Sequence, residues 1–511
     1  MDEADTGYSA YSILKTGLSQ YGSFNLLALE ESSGGTHPPL YIYLIIPLIK
    51  VFGLNIFVER IPSAIFGVLM VPILFLIVNK LFISKGVAAV AALLIAVNPW
   101  AIHISRQGLL ESIALFFVCL GTLLFLYASE KNRYLYILSA ISFGLSLFSY
   151  DAPKVFLPPF ILLLVFYKKD DLIKIKKYFM YFLIIFGMSF LLILKVLYFD
   201  GQMGDYNSVS IFDKTGIERT VNRERNETKA PLWLSSIFHN KATVALGRFE
   251  TSYSSIFSLN WFFLNGQGNL QQSVAKHGQF HLFELPFFFL GCFIIFTKNK
   301  KIGFFLLTWI LLGAIPGGIT TGNYPYRSVL LLPVPIIFSS IGIVWLWNYI
   351  KKFKIPISFT ARLSLVVTCI IFVISYLFTY FFDYPVYASE SWAKQQNDAL
   401  KYAFLNEGKY EKIFIDGRWE SMFAFNFKID PVLFQKAYLN QEEYRGAKIM
   451  RIGKFYFGNF IALDKIKDPK EYFSDKSLII TSGTKLKDIL PLKEFKDPGG
   501  IRVIFNAFSV E

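Results

Sequence analysis

The sequence predicts an all-α polytopic membrane bundle that ends in a soluble α/β domain. Of the 511 residues, 54% are hydrophobic and only 17% are charged, which is typical of an integral membrane protein. Apolar runs close to the roughly 20 residues that cross a bilayer recur from residue 60 to residue 382. After residue 382 the composition changes to that of a soluble domain.

Ten apolar stretches form the predicted bundle. They are Arg60–Lys80, Val87–Ile104, Leu109–Ser129, Tyr134–Ser149, Lys154–Tyr167, Tyr178–Phe199, His281–Phe296, Ile302–Ile319, Ser328–Ile350 and Leu363–Phe382. A further stretch, Leu40–Gly53, is shorter and contains Pro47 and Lys50. We interpret it as a helix that lies in, or dips into, the outer membrane interface.

Basic residues fall in every second loop. The basic loops are residues 80–85, 131–133, 168–177, 298–301 and 351–362. Excess Lys and Arg marks the cytoplasmic side, so the region before residue 60, the loop 200–280 and the chain after residue 383 are predicted to be extracytoplasmic. This topology also predicts one more span before Met1, so that the first span is missing from the chain. The net charge is +14, but the Lys and Arg residues are scattered between apolar runs rather than gathered on one face, so a nucleic-acid binder is not favoured.

Three regions follow from this pattern. Residues 1–59 are an outer first loop with interfacial helices and an acidic motif, and residues 60–382 are the transmembrane domain. The outer loop 200–280 either closes over a substrate or only packs on the bundle. Residues 383–511 are predicted to form an extracytoplasmic α/β domain, with a helix in "SESWAKQQNDALKYAFLNEGKY" and strands in "KIFID", "SLIITS" and "RVIFNAFSV". Acceptor recognition and a stabilising cap are both open roles for that domain.

The first loop begins with acids on a predicted helix. Tyr8, Tyr11, Leu14 and Leu18 recur at spacings of three and four, and Gly17 is a stop signal. The amino-terminal end of this helix carries acids at positions 2, 3 and 5. These acids either cap the helix and complement its dipole or form a working site.

Five segments carry a family resemblance. "DEADTGYSAYSILKTG", "GGTHPPLYIYLIIPLIKVFG", "VERIPSAIFGVL", "ISRQGLLESIALFF" and "FSYDAPKVFLP", in this order, resemble the protein O-mannosyltransferase and aminoarabinose-transferase group. The resemblance covers about residues 2–335. It implies the GT-C fold and a membrane glycosyltransferase that uses polyprenyl-phosphate-linked sugars. In that family the acidic pair follows the first transmembrane helix.

The resemblance implies the chemistry of the first loop. Asp2 is expected to be the general base that takes the proton of an acceptor hydroxyl, and Glu3 to orient the loop or the acceptor. The sugar would be transferred by a single displacement with inversion. The acceptor could be a protein hydroxyl, a lipid headgroup or an envelope glycan.

Outward cations could hold the phosphate that leaves. The candidate substrate-binding and lipid-phosphate-binding residues are His37, Arg60, Arg106, Glu111, Tyr150, Asp151, Lys154 and Arg327. Arg327, in "NYPYRSVLLLP", resembles the family's late lipid-phosphate-binding arginine. The arginines could instead snorkel to the headgroups. Asp151 could be a turn residue before Pro153, and Glu111 could simply neutralise Arg106.

No metal or cofactor is predicted. His37 with Glu30, Glu31 or His277 has no tight ligand spacing, and a lone His is more often a hydrogen-bonding group. The three cysteines all lie in apolar runs, which gives no disulfide framework.

Two other function classes remain open. A transporter or flippase for lipid-linked sugars would show discontinuous helices and charges near mid-membrane. A membrane scaffold that presents the carboxy-terminal domain would give no reason for an acidic pair beside outward arginines. An oligosaccharide-transferring relative is the enzymatic alternative, but its Trp-Trp-Asp motif does not occur in this chain.

Overall fold

A computed structural model describes residues 2–510 apart from short gaps. The gaps are residues 24, 28, 31–35, 129–131, 170–175, 200–209, 323, 461–471, 474–475, 483–485 and 487–488, and for residues 30, 36, 37 and 199 the backbone alone is described. The chain divides into two compact units. The sheet unit is Met1–His37, Ile42–Ile61 and Phe378–Glu511, and the helical unit is Pro38–Tyr41 and Pro62–Leu377.

Helices dominate the chain up to residue 387. They are α1 (Asp2–Thr16), α2 (Leu40–Phe52), α3 (Ile56–Phe82), α4 (Lys85–Val97), α5 (Pro99–Arg106), α6 (Glu111–Ala128), α7 (Leu135–Leu147), α8 (Ala152–Tyr167), α9 (Lys176–Phe199), α10 (Lys214–Glu227), α11 (Leu232–Phe238), α12 (Lys241–Ile256), α13 (Glu284–Lys298), α14 (Lys300–Gly318), α15 (Pro333–Ile350), α16 (Ile355–Phe378) and α17 (Tyr384–Tyr387). A two-stranded ribbon, β1 (Leu29–Glu30) with β2 (Thr36–His37), precedes α2.

The membrane character of the chain is confirmed. Among the described residues, six helical segments are long and apolar enough to span a bilayer: α3, α6, α9, α14, α15 and the stretch from α16 to α17. Each of the ten predicted apolar stretches contains a helix. However, α7, α8 and α13 have 13, 16 and 15 residues, which is shorter than the roughly 20 of a full span.

One predicted span is broken. The stretch Val87–Ile104 forms two helices, α4 and α5, which are bent by 53°. Asn98 ends the first helix, and its Oδ1 accepts a hydrogen bond from Ala101 N at 2.9 Å, so it also caps the second. Pro99 at the first helical position lacks the N–H that a continuous helix would need. The apolar composition predicted one helix, and this Asn-Pro pair is the reason for two.

Glycines allow α13 and α15 to touch. A Cβ atom on Gly291 would overlap the carbonyl oxygen of Phe338, and one on Gly342 would overlap that of Phe287. Small residues at such crossings let helix backbones approach closely in a membrane bundle.

The sheet unit contains a seven-stranded mixed sheet. Its strands are β3 (Lys412–Asp416), β4 (Glu442–Tyr444), β5 (Ala447–Ile452), β6 (Phe455–Gly458), β7 (Ser477–Ser482), β8 (Lys493–Lys496) and β9 (Val503–Val510), in the order β4-β5-β6-β3-β7-β9-β8. The central strands β6, β3 and β7 are parallel, and Phe414 lies between Tyr456 and Ile479. Parallel strands are covered on both faces, and Ile413, Phe414 and Ile415 are fully buried.

Three longer helices accompany this sheet. They are α18 (Lys394–Leu405), α19 (Glu420–Phe427) and α20 (Pro431–Leu439). The predicted helix and the three predicted strands are confirmed as α18, β3, β7 and β9. The sequence did not predict α19, α20, β8 or the strands β4, β5 and β6, because segments of three to nine residues hold too few repeats to show a clear period.

Helix α1 packs on α19 and α20 within the sheet unit. It begins at Asp2 and ends before Gly17, whose φ of +76° suits glycine, so the predicted helix and its stop are confirmed. The predicted apolar face is only partly the buried one. Tyr8 is fully buried, but Leu18 is 38% exposed, and the other deeply buried positions include Asp5 and Ser12.

Candidate active site

The two acids at the start of α1 have different environments. Asp2 is exposed, whereas Glu3 is half-buried and bonded to Arg60 of α3. Arg60 donates from Nε to Glu3 Oε1 at 2.8 Å and from Nη2 to Glu3 Oε2 at 2.6 Å. A bidentate pair fixes the orientation of both side chains. Glu3 therefore anchors the start of α1, and Asp2 is the acid that faces solvent.

A third carboxylate adjoins this pair. Glu59, which precedes Arg60, is completely buried and lies within electrostatic range of Asp2, Glu3 and Arg60. The sequence did not predict a role for Glu59. The available signal was its position beside an arginine at the start of an apolar span, where charges are costly and tend to be functional.

Asp5 is part of a buried hydrogen-bond network rather than a solvent-facing site. Its Oδ1 accepts hydrogen bonds from Gln20 Nε2 at 2.6 Å, Tyr21 Oη at 2.6 Å and Ser421 Oγ at 3.0 Å. Burial, together with the Asp5 carboxylate, raises the pKa of the Tyr21 hydroxyl, so Tyr21 remains protonated and donates. We call Asp2, Glu3, Asp5, Glu59 and Arg60 the acidic cluster.

A second polar cluster lies in the helical unit around Tyr150. This residue lies in the turn between α7 and α8, within electrostatic range of Glu111, Arg327 and Asp151. Burial raises the pKa of its hydroxyl, the two carboxylates raise it further, and the Arg327 guanidinium opposes them. Tyr150 is therefore a neutral hydrogen-bonding group at neutral pH.

Asp151 and Lys154 form an ion pair at the start of α8. Lys154 Nζ donates to Asp151 Oδ1 at 2.6 Å; the lysine side chain is 4% exposed and the aspartate side chain 45%. The aspartate therefore places a charge at the surface while it neutralises a buried ammonium.

Arg327 is held by its own short helix, Pro325–Leu331, a 3-10 helix. Its Nη1 donates to the carbonyl of Thr321 at 3.0 Å, and the guanidinium lies 4.9 Å from the centroid of the Tyr324 ring. These contacts direct the cation, since the side chain is only half-buried and would otherwise be free to rotate.

Residues that the sequence analysis missed join the segments of Arg106 and Arg327. The Tyr326 hydroxyl contacts both Gln107 Oε1 and the carbonyl oxygen of Gln271, and its single proton is donated between these two acceptors. Gln107 Nε2 donates to the same carbonyl at 2.8 Å, and His103 Nε2 lies 2.9 Å from it. The sequence feature that could have identified Gln107 and Tyr326 is their position next to Arg106 and Arg327. We call Glu111, Tyr150, Asp151, Lys154 and Arg327 the Tyr150 cluster, and the contact between Gln107 and Tyr326 links the segment of Arg106 to it.

The predicted site residues thus fall into two groups. Asp2, Glu3 and Arg60 come together in the sheet unit. The Tyr150 cluster lies in the helical unit, and Arg106 is joined to it only through the neighbouring Gln107. The backbone of His37 pairs with Leu29, but its side chain lies outside the described residues. In the described part of the chain, no three His, Cys, Asp or Glu side chains form a group that could hold a metal ion.

Part of this chain is similar in sequence to known proteins, and its fold is similar to a solved one. Residues 36–198 match the family model of dolichyl-phosphate-mannose-protein mannosyltransferase. A putative mannosyltransferase, YycA of Bacillus subtilis, is 29% identical over 142 residues, which are 27% of this chain and 20% of that protein. The match therefore spans about a fifth of the length of that relative.

A solved structure agrees over nearly the full chain. ArnT from Cupriavidus metallidurans, bound to undecaprenyl phosphate, has a TM-score of 0.50 at 10% identity and covers 99% of this chain and 93% of its own. At this identity the likeness shows the fold. The chain therefore has a fold similar to that of ArnT, its residues 36–198 resemble the dolichyl-phosphate-mannose-protein mannosyltransferase family, and its apolar helices make it a multi-pass membrane protein.

Proposed function

We propose that the chain transfers a sugar from a polyprenyl-phosphate-linked donor to an acceptor hydroxyl on the extracytoplasmic face. Two comparisons support this class of donor. ArnT was solved with undecaprenyl phosphate bound, and the family model that matches residues 36–198 is named after dolichyl-phosphate-mannose. The extracytoplasmic face is supported by the basic residues in every second loop of the sequence.

The contrast between Asp2 and Glu3 carries this proposal. Both acids start the same helix, but Arg60 neutralises Glu3 while Asp2 remains exposed. A general base must reach the proton that it takes, and a solvent-facing carboxylate at a fixed helix end meets that requirement. Asp2 is therefore our candidate base, and Glu3 with Arg60 fixes its position.

The reaction is a single displacement. Asp2 accepts the proton of the acceptor hydroxyl, the oxygen forms a bond to the anomeric carbon, and the bond between that carbon and the phosphate oxygen breaks. The electron pair leaves with the polyprenyl phosphate. Because no covalent sugar–enzyme bond forms, the configuration at the sugar carbon is inverted.

The Tyr150 cluster and Arg106 supply groups for the leaving phosphate. Arg327 is held by Thr321 and Tyr324, and Lys154 is a buried cation at the start of α8. Fixed cations stabilise the charge that develops on a leaving phosphate because they need not reorganise during the reaction. We propose Arg106, Lys154 and Arg327 as phosphate ligands, and Tyr150 as a neutral donor among them.

A second candidate function has one observation in its favour. Transport of lipid-linked sugars would use discontinuous helices, and α4 and α5 are such a broken pair. The two functions differ in their products, since transport moves the donor intact and transfer releases free polyprenyl phosphate.

The test is donor turnover by the full chain in lipid nanodiscs. Undecaprenyl-phosphate-mannose is supplied with candidate acceptors, and the released undecaprenyl phosphate is measured by mass spectrometry. We expect Asp2→Asn to lower kcat by about 10²–10⁴-fold with the donor KM unchanged, because the loss of a general base affects the transition state. Asp398→Asn, which removes an exposed acid from α18, is the matched control and should keep the wild-type rate.

Two results would overturn the assignment. Wild-type turnover by Asp2→Asn would remove Asp2 as the base. Movement of intact donor across the bilayer, with no release of undecaprenyl phosphate from mannose- or aminoarabinose-linked lipid, would favour the transporter.

A further inference from the structure

We propose that α19 and α20 of the carboxy-terminal domain position the acidic end of α1, with Asp5 and Ser421 as the positioning residues at the joint. This inference rests on the proposed function, because the end of α1 carries the candidate base. The carboxy-terminal domain is then a working part of the active site rather than an accessory module.

The first observation is the hydrogen bond between Ser421 and Asp5. Ser421 is the second residue of α19, and its Oγ donates to Asp5 Oδ1 at 3.0 Å across 416 positions of sequence. Asp5 is 2% exposed and Ser421 is 9% exposed. Charge-assisted hydrogen bonds of this kind are short and directional, so they fix the rotation of α1 about its axis. Asp5 lies about one helical turn after Asp2.

The second observation is a close approach of the two helices. Gly7 faces Phe425 so closely that a Cβ atom at position 7 would lie 2.6 Å from the ring atom Cε2 and 3.4 Å from Glu59 Cγ. Tyr8 adds a hydrogen bond to the carbonyl of Ile429 at 2.9 Å. The space at position 7 of α1 admits only the hydrogen of glycine, so any larger side chain there would push α1 away from α19.

The third observation extends the contact to the far end of α1. Gln435 Nε2 of α20 lies 3.0 Å from both Ser12 Oγ and Thr16 Oγ1 and 2.9 Å from the carbonyl oxygen of Ser19, and its two protons are shared among these three acceptors. Helix α1 is therefore held along its length by side chains of the carboxy-terminal domain. Its amino-terminal end is held by Arg60 through Glu3.

The hydrogen bonds of Asp5 fix the rotation of α1, and therefore the position of Asp2, more closely than the stability of the fold requires. A buried carboxylate on a contact face is costly unless it is well bonded, and an apolar residue would pack there at lower cost. Hydrogen bonds specify one rotation of the helix, whereas apolar contacts tolerate several. A shift of about 1 Å in a catalytic group can lower a rate by about 10²-fold, so the fixed rotation has a functional consequence.

The test uses the full chain and two readouts. Hydrogen exchange of the α1 amides, residues 2–16, reports whether the helix is held, and turnover of undecaprenyl-phosphate-mannose reports whether Asp2 is in place. We expect Gly7→Ala and Ser421→Ala each to increase α1 exchange at least fivefold and to lower kcat at least tenfold, with the donor KM within twofold of wild type.

A rescue and a control make the test specific. Phe425→Leu removes the ring that a Cβ at position 7 would meet, so adding it to Gly7→Ala should restore at least half of the lost kcat and the α1 protection. Gly408→Ala, whose Cβ would meet no atom within 4 Å, should behave as wild type.

The outcomes separate this inference from the proposed function. Wild-type α1 exchange and kcat in both Gly7→Ala and Ser421→Ala would overturn the inference. A loss of kcat without increased α1 exchange, or with a proportional rise in donor KM, would also overturn it. If the wild-type chain turns over no donor, the proposed function fails, and unchanged exchange in the variants would still refute the role of α19 and α20.

Discussion

At the residue scale, the three acids of α1 have three different environments although they lie within four positions of each other. Asp2 is exposed, Glu3 is paired with a partly buried arginine, and Asp5 is buried in a hydrogen-bond network. The same side-chain chemistry thus provides a candidate base, an anchor and a helix contact. The environment of each carboxylate, rather than its type, decides which role it has.

The free energy that couples Glu3 to Arg60 can be measured by a double-mutant cycle. Glu3→Gln and Arg60→Gln each remove one partner of the bidentate pair, and the double variant removes both. The side chains are 13% and 28% exposed, so we expect a coupling free energy of about 1–3 kcal/mol, between the values of exposed and buried pairs. Chemical unfolding of the purified chain measures it. Additive effects of the two single substitutions would show that the pair contributes no coupling.

A buried acid in α19 gives a pH-dependent stability. Burial raises the pKa of Glu420, nearby Asp5 adds to the rise, and Arg418 at 3.4 Å opposes it. A raised acid pKa means that the folded state binds more protons than the unfolded state. The contribution of protonated Glu420 to folding stability is therefore complete below the ordinary Glu pKa of about 4.3. It is lost as pH rises through the pKa of Glu420 in the folded state.

We therefore expect Glu420→Gln to stabilise the chain more at pH 7 than at pH 4. The amide keeps the shape of the side chain but has no charge to desolvate. Thermal unfolding across this pH range measures the effect, and Glu411→Gln, which changes a carboxylate whose side chain is 70% exposed, is the control. An equal effect of Glu420→Gln at both pH values would contradict the prediction.

Several residue-level features could be predicted from the sequence, and others could not. The acids at positions 2 and 3 and the arginine at 60 could be selected from the sequence, because charges at the ends of apolar runs are local signals, and their location on the outer side stays a prediction. The bond from Ser421 to Asp5 joins positions 416 apart, and no local signal reports such a contact. Glu59 was missed for a different reason, since one acid at a span end looks the same whether it is buried or snorkels to the headgroups.

At the element scale, the helices of the bundle follow from apolar length, and their breaks follow from side-chain chemistry. The stretch Val87–Ile104 has the composition of one span, yet Asn98 and Pro99 divide it into α4 and α5. In the carboxy-terminal domain, the fully buried strands β3 and β7 were predictable from continuous apolar runs. The antiparallel strands β4 and β5 carry charged side chains, and their pairing depends on neighbours that the sequence does not identify.

The glycine contact between α13 and α15 gives an element-scale prediction. We expect Gly291→Ala to destabilise the bundle by about 1–3 kcal/mol or more, because the Cβ would overlap the backbone of α15 and neither backbone can move aside easily. Thermal unfolding in detergent measures the loss. Gly187→Ala in α9, where a Cβ would meet no atom within 4 Å, is the matched control and should be neutral or slightly stabilising. Wild-type stability of Gly291→Ala would contradict the contact.

At the scale of the whole molecule, each compact unit is built from stretches that are not contiguous in the sequence. The sheet unit combines the amino-terminal segment, residues 42–61 and the chain after residue 378, whereas the sequence suggested an outer first loop and a separate carboxy-terminal domain. Composition indicates a change from apolar to polar sequence after residue 382, and the last segment of the sheet unit begins nearby at Phe378. It does not indicate that two soluble segments at opposite ends of the chain form one unit, because their contacts are specific hydrogen bonds and ring contacts.

This combination has a consequence for membrane topology. Since α1 and the carboxy-terminal domain belong to one unit, they must lie on the same side of the membrane, and the basic loops predict the extracytoplasmic side. The loop after α15, with Lys351 and Lys352, is predicted to be cytoplasmic. Single exposed cysteines can distinguish the two sides, because the native Cys119 is buried and Cys292 and Cys369 are only partly exposed.

We expect a membrane-impermeant maleimide applied to intact cells to label Glu411→Cys and to leave Lys352→Cys unlabelled until the membrane is opened. Both positions are exposed, so a difference in labelling reflects the membrane and not burial within the protein. The wild-type chain gives the background from its three cysteines, and labelling after lysis controls for the amount of each variant. Labelling of Lys352→Cys but not Glu411→Cys in intact cells would place the acidic cluster on the cytoplasmic side. A polyprenyl-phosphate-sugar donor presented at the outer surface could then not reach Asp2, and the proposed reaction would have to be abandoned.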